Sequence, residues 1–397
     1  MDLLATVALK FAVFAMVVHL ATVLIALRRL RVPDADVSAF ASGPPITIIR
    51  PVRGADACEE RALGTSFQLS YPSYEVIFCC ADADDPAVPM VRRLIGAHPC
   101  VPARLLIGDD AISDNPKLNN VMKGWRAAAH DWIVITDSNL ELPRDYLQRL
   151  LAAWHPLTGL VSAPPIGSDP QNLGAEFECA LLNTYQARWQ YVSDTLGNGF
   201  AQGKTLFWRR SDVEAAGGLG VLAREPAEDA AATKVVRELG LRVNLADGAF
   251  AQPLGSRTFA QVWARQVRWA RLRRQTFPLL FALEIFSGLA MPMLALLAAA
   301  TAFDFGIDIR LAAAGYALAW FGAESVLAAG VGWHLSWRSP VLWVAREAAL
   351  PMLWVQAWLG NSLVWRGNEI TARRGATARS GMLVAATMAG ANAVSEM

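Results

Sequence analysis

Acidic, amide and basic side chains follow three apolar runs of the chain in turn. Residues 82–86 (Asp-Ala-Asp-Asp-Pro) follow the run YEVIFCC, residues 115–120 (Asn-Pro-Lys-Leu-Asn-Asn) open a predicted helix, and residues 137–139 (Asp-Ser-Asn) follow the run WIVIT. One such segment alone is typical of a helix N-cap or a turn. A carboxylate beside a lysine and a helix N-terminus can, however, hold a divalent cation that bridges a diphosphate. Three segments in succession favour this second interpretation.

Two more charged segments come later in the chain. Residues 225–229 (Glu-Pro-Ala-Glu-Asp) precede a predicted helix, and acidic residues are common at helix starts because of the helix dipole. Residues 265–269 (Arg-Gln-Val-Arg-Trp) begin a basic stretch that ends at Pro278. Arg265 and Arg268 share one helical face, an arrangement suited to a diphosphate. The alternative is a basic helix that binds lipid headgroups beside the membrane.

Several common motifs for nucleotide and metal binding are absent from the sequence. It contains neither a P-loop pattern nor a dinucleotide fingerprint after a strand, and Gly203-Lys204-Thr205 lacks the preceding glycine of a P-loop. The five cysteines show no C-x-x-C spacing, which predicts reduced core residues in a cytosolic compartment. None of the five histidines falls in the charged segments, and the net charge of +1 argues against a nucleic-acid partner.

The elements that must position these side chains alternate between strands and helices. Strands are predicted over residues 46–50, 75–80, 104–107 and 132–136, and helices over 86–97, 117–129 and 143–154. Short apolar strands alternating with helices indicate an α/β fold with a parallel, doubly wound sheet. Ligands bind such sheets beyond the carboxyl ends of the strands, which is where the charged segments fall.

The composition excludes a simple soluble enzyme, because only 18% of the residues are charged, against ~25% in soluble domains. Residues 4–27 are apolar and long enough to cross a hydrocarbon core of ~30 Å. No short apolar region with a cleavage site is present, which favours an uncleaved anchor over a signal peptide. Arg28, Arg29 and Arg31 follow directly and place the next residues in the cytoplasm by the positive-inside rule.

Three further apolar stretches cover residues 278–303, 311–333 and 341–365. Three full crossings would put the arginine-rich tail outside, so we expect the last stretch, which contains Arg346, Glu347 and Pro351, to be re-entrant or interfacial. Glu284 and Glu324 also lie in apolar runs. They are either functional groups or structural residues that lie near helix ends or pair with Arg346.

Taken in order, the charged segments resemble those of the ceramide glucosyltransferase family in its bacterial form, family 21, which is related to family 2. The shared motifs are P-V-R-G at 51–54, D-A-D-D-P-A at 82–87, A-R-L-L-I-G at 103–108, N-P-K-L-N-N at 115–120, D-S at 137–138, A-G-G-L at 216–219, A-E-D at 227–229 and R-Q-V-R-W at 265–269. The resemblance extends from the first membrane segment to about residue 370. Two positions depart from it: Gln186 stands where animal members have a histidine, and Asn139 replaces a glycine.

The resemblance implies a GT-A-type, Rossmann-like domain that uses a nucleotide sugar and inverts the anomeric carbon. Asp82 would contact the uridine with Asp84 nearby, and Lys117 and Asn120 would help to seat the nucleotide. Asp137 would bind a divalent cation, Mg²⁺ or Mn²⁺, on the diphosphate. Asp229 would be the general base on the acceptor hydroxyl. The side chains that would close over the departing UDP are those of Arg265, Arg268 and Trp269.

The predicted organisation has four parts: an N-terminal anchor (1–32), a cytoplasmic GT-A domain (33–277), C-terminal membrane segments (278–370) and a cytoplasmic, flexible tail (371–397). The predicted function is glucose transfer from UDP-glucose to ceramide in a bacterial inner membrane. Transfer of N-acetylglucosamine or another sugar to a hopanoid or other lipid alcohol is the alternative. A processive polysaccharide synthase would need more crossing helices, and a non-catalytic lipid-binding or transport protein would predict internal repeats that the chain lacks.

Overall fold

A computed structural model describes residues 2–31, 43–54, 57–303, 308–360, 362–365 and 368–371. The helices are α1 (Asp2–Leu30), α2 (Ala57–Gly64), α3 (Ala87–Ala97), α4 (Pro116–Ala127), α5 (Tyr146–Ala152), α6 (Leu173–Leu181), α7 (Arg188–Thr195), α8 (Arg210–Ala215), α9 (Glu228–Glu238), α10 (Phe259–Thr276), α11 (Pro278–Leu283), α12 (Ala290–Ala302), α13 (Ile309–Gly330) and α14 (Ser339–Leu359). The strands are β1 (Ile46–Val52), β2 (Tyr74–Cys80), β3 (Ala103–Ile107), β4 (Trp132–Thr136), β5 (Thr158–Ser162), β6 (Pro165–Pro170), β7 (Thr205–Arg209), β8 (Arg242–Leu245), β9 (Phe250–Gly255), β10 (Ser362–Trp365) and β11 (Asn368–Thr371).

Seven strands form the central sheet, in the order β3-β2-β1-β4-β7-β5-β8. The first four are parallel, as predicted. The side chains of β1, β2 and β4 are mostly buried because both faces of the sheet are covered there, whereas the edge strand β3 is partly exposed. The prediction of a wholly parallel sheet is wrong at one strand. β7 runs antiparallel to both of its neighbours, β4 and β5, so that its first residues lie at the carboxyl end of β4.

Helix α4 packs closely against β1 and β2 through a glycine. A Cβ at Gly124 would lie 2.6 Å from Cys79 Sγ and 2.9 Å from Ile49 Cγ2. Asn115 caps the helix, since its side chain accepts hydrogen bonds from the backbone N–H groups of Lys117 and Leu118. The cap and the close packing fix the first turn of α4 beside the end of β4.

Among the residues that the structure describes, two helices are long and apolar enough to cross a bilayer, α1 and α13. A third candidate is the pair formed by Pro278–Phe286 and Ala290–Ala302, which is bent by 46° at its break. The predicted segment 341–365 is helical only to Leu359 and continues into the β10–β11 hairpin. The tail predicted over 371–397, with Arg373, Arg374 and Arg379, lies beyond Thr371 outside the described residues, as does Arg366.

Candidate active site

Asp137 lies between two lysine side chains at the carboxyl end of β4. Its Oδ1 is 2.7 Å from Lys117 Nζ, and its Oδ2 is 2.8 Å from Lys204 Nζ. Lys117 stands in the first turn of α4, whereas Lys204 directly precedes β7. Because β7 is antiparallel, Thr205 pairs with Thr136 at the end of β4. The reversed strand therefore brings Lys204 to Asp137.

Two acidic residues at the start of α9 border the same lysine. Glu228 Oε1 lies 2.8 Å from Lys117 Nζ, and its Oε2 accepts a 2.8 Å hydrogen bond from the Asn115 amide. Asp229 Oδ2 accepts a 2.9 Å hydrogen bond from the Gly203 backbone N–H. A Cβ at position 203 would come within 2.9 Å of Glu228 Oε1 and 3.3 Å of Lys117 Nζ. Glycine is therefore the residue that leaves room for this group, here termed the acid–lysine cluster: Lys117, Asp137, Lys204, Glu228 and Asp229.

The charges of the cluster depend on one another. Burial disfavours the charged form of Lys117, but the Asp137 and Glu228 carboxylates outweigh it and raise the pKa of this ammonium group. Burial also acts against ionisation of Asp137, yet the two lysines hold the pKa of Asp137 below its ordinary value. Burial prevails at Lys204 and lowers the pKa of its ammonium group, because Asp137 is its single carboxylate partner among the described residues. Asp137 is consequently a carboxylate at neutral pH.

Asp229 has different surroundings. Burial, and then the adjacent charge of Glu228, raise the pKa of Asp229 to about 6. The Lys117 charge and the backbone N–H groups of Gly203 and Ala230 oppose that rise. The carboxylate is mostly ionised at neutral pH and is more basic than an ordinary aspartate. Both properties suit a general base that removes a proton from an alcohol.

A buried arginine holds the loop that follows β4. Arg50, in β1, is fully buried and donates hydrogen bonds to the backbone carbonyls of Asp137, Ser138 and Leu140. Burial lowers the pKa of Arg50 to about 10. The backbone around Asp137 is thereby fixed in position before any ligand binds.

The residues predicted to bind the nucleotide differ in how accessible they are. Asp82 and Asp84 are exposed, and Asp82 Oδ1 accepts a 3.0 Å hydrogen bond from the Asp84 backbone N–H. Asp85 is tied into the fold, because its Oδ1 accepts from the backbone N–H of Gly54 at 2.7 Å. Asn120 is buried and donates to the Cys79 carbonyl at 2.8 Å. Asp82 and Asp84 are thus available to a ligand, whereas Asn120 is engaged with β2.

The predicted arginine and tryptophan side chains lie on α10. Arg265 forms an ion pair with Glu178, whose side chain in α6 is fully buried. Trp269 packs against the apolar cluster around Cys179 and Leu254. Arg268 is half-buried on the same helix. Of these three side chains, Arg265 has the clearest electrostatic link to the cluster, since its charge contributes to the lowered pKa of Lys204.

The residues around Asp137 fit a divalent cation that binds together with a nucleotide, rather than one held by the protein alone. Within the described part of the chain, no group of three or more His, Cys, Asp or Glu side chains forms a metal cage. Mg²⁺ bound with a nucleotide, however, takes one or two carboxylates and completes its coordination with phosphate oxygens and water. One ionised carboxylate, Asp137, meets that requirement. Each of its oxygens faces one lysine, so a cation there would share the carboxylate with the two ammonium groups or replace one of them.

Sequence reasoning missed three residues of this region. Lys204 was set aside with the incomplete P-loop pattern, although it reaches both Asp137 and the Asn139 side-chain oxygen, at 2.8 Å each. The sequence indicated Glu228 only as part of a helix start, and it gave no indication of Glu178. Lys204 precedes a β-rich run, TLFWR, and that run was the available indication that a strand begins beside it.

Comparisons with known proteins show what the chain is similar to in sequence. A model of the family described as Glycosyl transferase family 21 matches residues 10–378. Ceramide glucosyltransferase 1 of Caenorhabditis elegans is 27% identical over 335 residues, 82% of this chain and 71% of the relative. Ceramide glucosyltransferase of Komagataella phaffii is 28% identical over 287 residues, 58% of this chain and 56% of the relative.

A solved structure supplies the fold comparison. The mannosyltransferase PcManGT of Pyrobaculum calidifontis, in complex with GDP-Man and Mn²⁺, matches with a TM-score of 0.50 and 19% identity. The match covers 89% of this chain and 98% of that chain. The predicted GT-A-type fold is confirmed.

Proposed function

Because the chain belongs to glycosyl transferase family 21, we propose that it transfers glucose from UDP-glucose to the primary hydroxyl of ceramide, forming β-glucosylceramide and UDP. The ceramide glucosyltransferases of C. elegans and K. phaffii support these substrates. The observation that carries the proposal is the acid–lysine cluster. It places a carboxylate of raised pKa, Asp229, next to Lys117, whose charge can face a diphosphate.

The proposed reaction is a single displacement. The acceptor oxygen attacks the anomeric carbon as the bond from that carbon to the diphosphate oxygen breaks. The proton of the acceptor hydroxyl goes to Asp229, and the electron pair of the broken bond leaves with UDP. Attack opposite the leaving group inverts the anomeric carbon, so that no enzyme nucleophile is needed.

The donor site is proposed to extend from the end of β2 to the end of β4. Asp82 contacts the uridine with Asp84 nearby, since both carboxylates are exposed at the end of β2. Lys117 lies against the diphosphate. Asn120 helps indirectly, by holding α4 against the Cys79 carbonyl of β2.

A divalent cation, Mg²⁺ or Mn²⁺, is the proposed cofactor, and Asp137 is its proposed ligand from the chain. When bound, the cation supplies positive charge to the leaving diphosphate. Asp137 is suited to hold it, because the two lysines keep this carboxylate ionised.

The basic helix α10 is proposed to cover the departing UDP. Arg265 and Arg268 supply guanidinium groups that can pair with phosphate oxygens. Trp269 is anchored in the apolar cluster beneath α6 and so fixes the rotation of the helix. The Glu178 carboxylate holds Arg265 in place until a phosphate competes for it.

The proposed location is the inner membrane of a bacterium. The GT-A domain, residues 33–277, would lie in the cytoplasm between the anchor at 1–32 and the membrane segments at 278–370, with the tail at 371–397 on the same side. Arg28 and Arg29 in the last turn of α1 support this orientation.

The proposed function is tested with the purified full-length protein. It is incubated with radiolabelled UDP-glucose or UDP-N-acetylglucosamine, Mg²⁺ or Mn²⁺, and ceramide or a hopanoid alcohol, and the labelled lipid is identified. We expect β-glucosylceramide. A preference for N-acetylglucosamine or for the hopanoid would replace the proposed substrates, and the absence of any labelled lipid would reject the enzyme.

A further inference from the structure

A narrow pocket lies where α10, α11 and α14 meet a π-helical turn, Leu182–Ala187. It is termed the junction pocket here, and its walls include Gln186, Gln266, Arg273, Glu284, Leu353 and Trp354. The residues assigned above to the donor and to the base do not line it. Gln266 directly follows Arg265 in α10, so the pocket lies along the same helix as the arginine that is proposed to cover UDP.

The end of the pocket near Arg265 is polar and contains an unsatisfied donor. Gln266 is 3% exposed, and its Oε1 accepts a 2.8 Å hydrogen bond from Gln186 Nε2. Gln266 Nε2 makes no hydrogen bond within the described part of the chain. A buried donor without a partner costs ~1–3 kcal/mol. A carbonyl or hydroxyl oxygen of a ligand would satisfy it.

The π-helical turn gives this end of the pocket its shape. π-helical turns are rare and are frequent at functional sites. Tyr185 and Gln186 both lie in the turn and both line the pocket. The Tyr185 hydroxyl and the Ser287 hydroxyl are 2.6 Å apart, and Ser287 lies in the break between α11 and α12. The turn is thereby attached to the bent helix pair.

The other end of the pocket is walled mainly by apolar side chains. From Gln266 to Arg273 the pocket follows α10 for two turns, or about 10 Å. Phe281, Leu353 and Trp354 form walls there, and Arg273 is neutralised by two-pronged hydrogen bonds to Glu284, at 2.8 and 2.9 Å.

The helix beside this apolar end presents large apolar side chains outwards. In α11, Leu279 is 82% exposed and Leu283 is 63% exposed. Exposed apolar surface of this kind marks contact with a membrane or a partner. Because α11 belongs to a candidate membrane span, we expect this surface to contact the bilayer.

The free volume of the junction pocket is about 30 Å³, which admits a polar group but not a whole lipid. We propose that the pocket receives a polar group from the head of the lipid acceptor at Gln186 and Gln266, while the hydrocarbon chain lies along α11 in the bilayer. The inference rests on the proposed function for the class of acceptor, a lipid alcohol. It adds that the head must present a hydrogen-bond acceptor near the reacting hydroxyl, as the amide carbonyl of a ceramide does. Gln266 Nε2 donates to that oxygen.

The first test uses isosteric substitutions in the full-length protein. Gln186→Met and Gln266→Met remove the amides, and Gln356→Met is the matched control, since the Gln356 amide accepts from Trp263 on the same helices without lining the pocket. We expect about a tenfold rise in the KM for ceramide in both pocket variants, with an unchanged Kd for UDP. The control keeps both constants. An unchanged KM, or an equal loss of UDP binding, would overturn the proposal.

A binding experiment separates this inference from the proposed reaction. A ceramide with a diazirine in its acyl chain is photolysed with the wild-type protein, and the labelled peptides are mapped with and without excess ceramide. Competed label near Phe281 or Leu353 supports the pocket even if no glucosylceramide forms, in which case only the proposed reaction fails. Label confined to α1 and α13 would refute the pocket.

Discussion

Glu228 and Asp229 are adjacent carboxylates with different partners. Glu228 is bonded to Lys117 and to the Asn115 amide, whereas Asp229 accepts from backbone N–H groups. Both Glu228 oxygens already have partners in the fold, which leaves them less available to an acceptor hydroxyl. The neighbour with the raised pKa, Asp229, is therefore the better candidate for proton removal, although sequence position alone does not distinguish the two.

The first prediction concerns pH. Protonated Asp229 cannot accept a proton, so kcat/KM should fall as the pH drops below about 6 and should be independent of this group above that value. Glu228→Gln removes a charge that raises the pKa of Asp229, which should move this acid limb to lower pH. Glu225→Gln is the control, because Glu225 pairs with Lys234 instead. Superimposable profiles for all three proteins would contradict the assignment.

The second prediction is that Asp229→Asn lowers kcat by about 10²- to 10⁴-fold. The Kd for UDP should stay close to the wild-type value, because asparagine still accepts from the Gly203 N–H. Calorimetry with UDP and a single-turnover assay measure the two quantities. Loss of UDP binding with residual turnover would mean that Asp229 belongs to the donor site.

The third prediction concerns Lys204, which lies in the acid–lysine cluster but belongs to none of the family motifs. Lys204→Met leaves Asp137 with one ammonium partner and removes a positive charge from the proposed diphosphate site. We expect the KM for UDP-glucose to rise about tenfold or more, with partial rescue by Lys204→Arg. Lys234→Met is the matched control, since Lys234 is paired with Glu225. Equal effects of the two methionine variants would argue against a specific role.

At the scale of elements, the position of the site depends on how closely α4 approaches the sheet. Gly124→Ala would set a Cβ 2.6 Å from Cys79 Sγ, and such overpacking costs ~1–3 kcal/mol. The fourth prediction is a lower unfolding temperature in detergent for this variant. Gly96→Ala in α3 meets nothing within 4 Å and should be neutral or slightly stabilising. A Gly124→Ala protein as stable as the wild type would show that α4 can shift away from β2.

The first four strands were predictable from the sequence, because each is a short apolar run bounded by turn residues. The predicted strand over 132–136 coincides with β4, and the predicted helices differ from α3, α4 and α5 by a few residues at their ends. The direction of β7 was not predictable. Strand direction is set by pairing with distant neighbours, and neither an apolar run nor a turn residue encodes it. For the same reason Lys204 could not be placed beside Asp137.

At the scale of the whole molecule, a buried charge cluster joins α13 and α14 to the π-helical turn of the GT-A domain. Arg346 in α14 lies 2.9 Å from Glu324 in α13, and its guanidinium also donates to the hydroxyl of Thr184 in the π-helical turn at 2.8 Å. Arg346 and Glu324 are fully buried. The alternative that Glu324 is a structural partner of Arg346 is therefore the one that the structure favours.

The fifth prediction follows from that pairing. Arg346→Met would leave Glu324 and Glu347 buried without their cation, and breaking a buried pair in this way costs ~3–5 kcal/mol. We expect a large loss of thermal stability in detergent, with Arg310→Met, at an exposed position, as the control. Adding Glu324→Gln should restore part of the loss. Equal stability of the two single variants would show that the cluster does not bind the two parts together.

The junction between α10 and α11 has a consequence for the length of the product. A single residue, Phe277, separates the arginine helix α10 from α11, the first helix of the bent pair. In the proposed reaction, this junction would leave α10 little freedom to move away from the bilayer. Once a sugar had been added, the free hydroxyls of the product would stand farther from the bilayer, so the short junction would favour release of the glycolipid after one sugar.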